Sequence, residues 1–148
     1  MEKKLIKNDL PIYGVLNYDD IDLLREIIEG DNQKYCPEYI REFIDKKGNI
    51  GFTAKLDGKV IGLAYCYTLL NLDGRLMMYI YSFDILSTYQ NHGYGSGLMK
   101  FVVEYSKING YTECFVPVFK SNVRACRVYE KAGKVCSDDV LEYVISHK

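Results

Sequence analysis

Residues 90–97 read Gln-Asn-His-Gly-Tyr-Gly-Ser-Gly, and this octapeptide limits what the chain can fold into more than any other stretch. It stands between a β-rich run ending near Leu86 and an amphipathic run over 98–108. Gly93, Gly95 and Gly97 alternate along it, so the backbone can turn tightly and other groups can approach its amides closely. The first amides of the helix that follows lack intrahelical partners and sit at the positive end of its dipole. Strand, glycine turn and helix start together make an anion site, most often one for phosphate. A sharp turn that needs only positive φ would use the same glycines.

The flanking elements follow from the spacing of apolar residues. Leu5 and Ile6 suggest a short first strand. Asp19 or Asp20 can cap a helix through Ile28, with Ile21, Leu24 and Ile28 as its apolar face, and Gly30 ends it. Pro37 suits the first turn of a second helix over 38–45. A meander comes next: a strand over 50–56, the two-residue turn Asp57-Gly58, a strand over 59–70, a turn over 71–74, and a strand over 75–86. On that last strand Met77, Tyr79, Tyr81, Phe83 and Ile85 share one parity and predict one large apolar face, with Ser82 and Asp84 opposite.

Beyond the glycines, Leu98, Phe101, Val102, Tyr105 and Ile108 follow helical spacing. A short strand over 114–118 is expected, then a helix capped by Ser121 or Asn122 and ended by Gly133, then one or two closing strands over 134–145. The fold class is α/β (α+β): a mixed, mostly antiparallel sheet flanked by helices, in the order βααβββαβαβ(β). Residues 1–148 are expected to form a single domain.

Composition narrows the partners. Nineteen basic residues against twenty acidic ones give no global field that would favour nucleic acid. No run is long enough to span a bilayer, and the N-terminus lacks the apolar core of a signal peptide, so a cytoplasmic protein is expected. Five cysteines with no CxxC pair, and only two histidines, predict reduced thiols and no metal site. Acid clusters at Asp19, Asp20, Asp22, Glu26, Glu29 and Asp31 read either as a solvated helix face or as a surface for a cation.

Two segments carry a resemblance when taken together: Gln90-x-x-Gly93-x-Gly95, and Asn122-x-x-Ala125-x-x-x-Tyr129-x-x-x-Gly133. They resemble the GNAT superfamily of acetyl-CoA-dependent N-acetyltransferases, whose loop reads Gln/Arg-x-x-Gly-x-Gly/Ala and whose later helix carries an Asn and a Tyr. The match is strongest from Tyr81 to Gly133, and within the superfamily the chain looks most like small aminoglycoside and histone-type acetyltransferases. Lys134 departs from the aromatic residue that usually follows the glycine.

That resemblance implies acetyl-CoA as the acetyl donor and direct attack by a primary amine in a ternary complex. Backbone groups of Phe83 and Ile85 would pair with the pantetheine arm. Amides of Gln90, Asn91, His92, Gly93, Tyr94, Gly95 and Ser96 would cradle the pyrophosphate, with Asn122 beside the arm. Tyr129 would donate a proton to the leaving thiolate, a role open to a phenol that stays protonated at neutral pH; it also fits a buried helix stripe. Relatives often carry a base on the strand before the loop, and here Asp84 is that strand's only carboxylate. Asp84 either orients or deprotonates the amine, or serves as a structural hydrogen-bond acceptor. A cationic acceptor is expected, whether aminoglycoside-like, a polyamine or a lysine side chain of a peptide. A homodimer fits the family's habits. The alternative is an acyl-CoA sensor that keeps the loop without the chemistry.

Overall fold

The computed structural model describes residues 10–147, and the expected strand at Leu5 and Ile6 lies outside them. The first strand is β1 (Ile12–Val15). The helix expected from residue 19 or 20 is split into a 3₁₀ segment, Tyr18–Leu23, and a short helix α1, Arg25–Gly30. Its cap is Asn17 rather than Asp19 or Asp20: the Asn17 side-chain oxygen accepts from the Asp19 N–H at 2.9 Å, and the Asp20 carboxylate accepts from the Asn17 N–H at 3.0 Å. Asp20 is fully buried and ion-paired to Lys55, so the split helix is anchored to the sheet by charge as well as by Leu24 and Ile27.

Helix α2 (Pro37–Asp45) begins on its proline as expected. Strands β2 (Asn49–Leu56), β3 (Lys59–Leu70) and β4 (Leu76–Ile85) form the antiparallel meander. Positive φ at both Asp57 and Gly58 supports the tight turn that joins the first two. After helix α3 (Tyr94–Ile108) comes β5 (Glu113–Phe115), parallel to β4, and then helix α4 (Val123–Ala132). The sheet order is β1-β2-β3-β4-β5.

Two apolar layers cover the sheet. On one face Leu98, Met99 and Val102 of α3 pack on Phe52, Cys66 and Ile80. On the other, Leu24 and Ile27 pack on Leu16, Val60 and Leu63. Truncating Phe52, which has no exposed surface, to alanine would cost about 3–5 kcal/mol. Among the described residues no helix is long and apolar enough to cross a membrane.

Two further expectations are corrected. The single apolar parity of β4 is broken by a β-bulge: Tyr65 pairs with Ser82 but Cys66 pairs with Ile80, leaving Tyr81 as the extra residue. Met78 and Ile80 therefore face α3 before the bulge, while Phe83 and Ile85 face it after, and Tyr79 joins Tyr81 in the ring cluster on the opposite face. The second concerns residues 134–147, which carry no strand. With β5 only three residues long and Pro117 just beyond it, few backbone groups are left for a further strand to pair with.

Candidate functional site

The glycine segment does three different things. Asn91 (φ 65°) and Gly93 (φ 82°) take the left-handed conformation that reverses the chain. Gly93 caps α3 but has no side chain to do so, and no hydrogen-bonding cap covers the first amides of that helix. Gly97 is small for packing: a Cβ there would lie 2.1 Å from the Tyr13 hydroxyl, which itself donates to the Tyr94 carbonyl at 3.3 Å. Gly95, with Gly93, lines the groove beside the turn.

Around this turn the side chains brace the loop. Gln90 donates from Nε2 to the Ile85 carbonyl at 2.9 Å, and its Oε1 accepts from Arg124. His92 folds back on the loop, with Nδ1 2.8 Å from the Gln90 carbonyl and its ring stacked on Tyr94 at 5.3 Å. Its imidazole is held against the loop through Nδ1 and the Tyr94 ring.

Strand β4 has an open edge beside the turn. Its parallel partner β5 pairs only with Met77, Met78 and Tyr79, so the strands part at the bulge. The Leu86 N–H points to β3, bonding the Ile61 carbonyl at 2.8 Å. Backbone groups alternate direction along an antiparallel strand, so Ile85 and Phe83 turn theirs away from β3, toward the open side. The Ile85 carbonyl meeting Gln90 agrees with this.

Between that edge, the turn and α4 lies a groove of about 410 Å³ lined by Phe83, Asp84, Ile85, Gln90, Asn91, Gly93, Gly95, Ser96 and Asn122. Arg124, Arg127 and Lys131 line it too. Lys131 reaches the Ser96 hydroxyl at 3.4 Å. These three cations were not picked out from the sequence, although their i, i+3, i+7 spacing on the helix that carries Tyr129 puts them on one face. Asn122 lies on the groove, but its side-chain oxygen is engaged as the α4 cap, accepting from the Ala125 N–H at 3.2 Å.

Two turns along α4, the Tyr129 ring meets the Phe83 ring edge-on at 5.8 Å. Burial, with the Asp84 carboxylate and then Cys126 adding to it, pushes its hydroxyl pKa up to about 12. Asp84 stands across the strand with Ser82, whose hydroxyl donates to Oδ2 at 3.0 Å. Burial raises the Asp84 pKa, the Asp31 charge raises it further, and the Ser82 hydrogen bond opposes both. Of the residues singled out from the sequence, Phe83, Asp84, Ile85, Gln90, Asn91, Gly93, Gly95, Ser96 and Asn122 line this groove, Tyr129 meets it through Phe83, and His92 and Tyr94 stack on each other outside its lining.

A search of curated proteins finds no match to this chain. Solved structures share its fold. An aminoglycoside acetyltransferase, meta-AAC0020 from an uncultured soil metagenomic sample, superposes with a TM-score of 0.81 at 20% identity, over 97% of this chain and 99% of that one. The aminoglycoside N-acetyltransferase AAC(6')-Iy, solved with CoA, gives 0.77 at 15% identity over 95% and 98%. A ribosomal-protein-alanine N-acetyltransferase from Brucella melitensis biovar Abortus 2308 gives 0.76 at 14% identity over 92% and 98%. The family model for GNAT acetyltransferases matches residues 21–133, from the 3₁₀ segment through the end of α4, and the chain belongs to that family.

Proposed function

We propose that this protein moves the acetyl group of acetyl-CoA to a primary amine by direct attack. The observation that carries the reading is the open β4 edge at Phe83 and Ile85, which runs into the uncapped start of α3 with Asp84 and Tyr129 on either side. An extended amide-bearing arm can add to such an edge as a peptide strand does. The groove is also polarised: Arg124, Arg127 and Lys131 line it with the α3 start, and among the described residues Asp84 is its only carboxylate lining. A diphosphate therefore fits the amides of residues 94–96 and those three cations, and a reacting amine fits the carboxylate.

Bound there, acetyl-CoA supplies the activated acyl group; the chain supplies positioning and proton handling. Asp84 accepts a proton from the incoming ammonium, a transfer eased because its pKa is raised toward neutrality. The freed nitrogen lone pair forms the C–N bond to the acetyl carbonyl carbon and the C–S bond breaks. The nitrogen's surplus proton ends on sulfur, with the Tyr129 hydroxyl as the donor that steadies the developing thiolate. Proton uptake by Asp84 also removes a charge that raises the Tyr129 pKa, so the phenol becomes a better acid once the amine is ready. Thiol release from acetyl-CoA with a panel of primary amines tests the reading. Acceptor-dependent release that Asp84→Asn and Tyr129→Phe each suppress supports it; CoA binding with no acceptor-dependent release overturns it in favour of a sensor.

A further inference from the structure

Half of the acidic run that suggested a cationic acceptor is already paired with the protein's own cations. Asp20 is buried against Lys55, Glu26 pairs with Lys59 at 3.0 Å, and Glu29 pairs with Arg25 at 3.0 Å. Asp19, Asp22 and Asp31 form no ion pair among the described residues, and of these the Asp31 charge raises the pKa of Asp84.

The strand face that carries Ser82 and Asp84 is aromatic. On the sheet face opposite α3, six rings form a continuous array: Phe43, Tyr65, Tyr67, Tyr79, Tyr81 and Phe115, with centroid separations of 4.9–6.4 Å. Tyr81, the bulge residue, is 55% exposed at its centre. Among the described residues the cation–ring stacks use other rings: Arg25 on Tyr35, Arg41 on Tyr18 and Lys59 on Tyr89. Aromatic faces free of the protein's own cations, next to carboxylates, are suited to an external ammonium and to an attached ring.

The array runs into a second cavity of about 230 Å³, whose lining includes Leu16, Leu24, Ile28, Phe43, Leu63 and Tyr65. Tyr65 links the two regions, because it lines this cavity and stands beside Ser82, which holds Asp84. A space of this size and polarity takes a single aryl ring or a compact alkyl group. Its wall is mostly aliphatic and aromatic, and Gln33, Lys34, Tyr39 and Tyr65 offer few partners for the many hydroxyls of an amino sugar.

Taking the acetyl-transfer reading as its premise, we infer that the acceptor is a primary amine joined by a short linker to an aromatic or compact apolar body. The ammonium lies at Asp84, and the body lies on the tyrosine array and in the adjoining cavity. Calorimetric titration of the CoA-saturated protein with 2-phenylethylamine, spermidine and kanamycin decides this, independently of turnover. We expect the Kd for 2-phenylethylamine to be at least tenfold below the other two. Tyr81→Ala and Tyr67→Leu should each weaken it at least fivefold, and Tyr81→Phe should restore it. Tighter binding of spermidine or kanamycin, no binding of 2-phenylethylamine, or an unchanged Kd in both ring-removing variants overturns the inference. Thiol release measured on the same samples separates the two conclusions. The expected binding order without release leaves an aryl-amine site on this face and removes acetyl transfer, whereas release driven best by spermidine or kanamycin keeps acetyl transfer and removes the aryl-amine site.

Discussion

Ser82 donates its hydroxyl to Asp84 Oδ2 at 3.0 Å, and this bond works against the burial and the Asp31 charge that raise the Asp84 pKa. If Asp84 is the base, the acid limb of the kcat/KM profile lies above the ordinary aspartate value of 3.8. Ser82→Ala removes a bond that favours the ionised form, so the limb should move to higher pH. Asp84→Asn should lower kcat by about 10²–10⁴-fold and abolish the limb.

Stability should respond in the opposite sense. A carboxyl whose folded pKa is raised binds more protons when folded than when unfolded, so stability falls as pH rises from the unfolded value through the folded one. The cost grows with pH until the pH exceeds the folded pKa. Asp84→Asn should therefore raise Tm at pH 7 while activity falls, and the gain should vanish below the unfolded pKa. Thermal unfolding at pH 7 and pH 3.5 checks this; an equal Tm difference at both would assign the effect to something other than ionisation.

Tyr129 is coupled to the same carboxylate. Its raised pKa, about 12, comes first from burial and second from Asp84. Tyr129→Phe keeps the ring on Phe83 and removes only the hydroxyl, so kcat should drop about 10–100-fold with the acetyl-CoA KM nearly unchanged. In protein carrying ¹³Cζ-tyrosine, the Tyr129 titration should move down in Asp84→Asn. A titration that does not move would place the two groups too far apart to share a proton path.

What was legible in the sequence was local. Asp57-Gly58, the glycines after Gln90 and the Asn122 cap each depend on a few neighbouring residues, and each folds as its chemistry dictates. The bulge at Tyr81 was not legible, because parity counting assumes an unbroken pleat and only pairing with β3 reveals the extra residue. The fate of the acidic run was hidden for a related reason. Asp20 is matched by Lys55, two elements away, so its charge reads as surface until the sheet forms beneath it. Arg124, Arg127 and Lys131 were countable on α4, but that this face meets the groove is a tertiary fact.

Those three cations carry their own prediction. If they hold a diphosphate, Arg127→Ala and Lys131→Ala should each raise the acetyl-CoA KM about 3–10-fold, with kcat little affected. The wild-type KM should rise with ionic strength, and the double variant should respond less. Arg124→Ala should do more than either, since it also releases the Oε1 of Gln90, whose Nε2 holds the Ile85 carbonyl. Isothermal titration with CoA across a salt series measures all of these; equal salt slopes in wild type and double variant would take the cations out of the site.

The glycines allow packing and binding to be separated within one turn. A Cβ on Gly97 would meet Tyr13 at 2.1–3.1 Å, so Gly97→Ala should destabilise by about 1–3 kcal/mol, and Tyr13→Ala should relieve part of that in a double-mutant cycle. Gly95 is different. A Cβ there would sit 3.5 Å from Val128 and 3.6 Å from Ile85, ordinary contacts, and no positive φ penalises it. Gly95→Ala should therefore unfold at nearly the wild-type denaturant midpoint, yet it adds a methyl to the groove wall beside the amides that would face the diphosphate. A CoA Kd at least tenfold weaker, with stability unchanged, is the expected result, because the substitution acts on the ligand's space and not on the fold. Wild-type CoA affinity in Gly95→Ala would mean that the diphosphate does not approach this turn, and the assignment of the groove would fail with it.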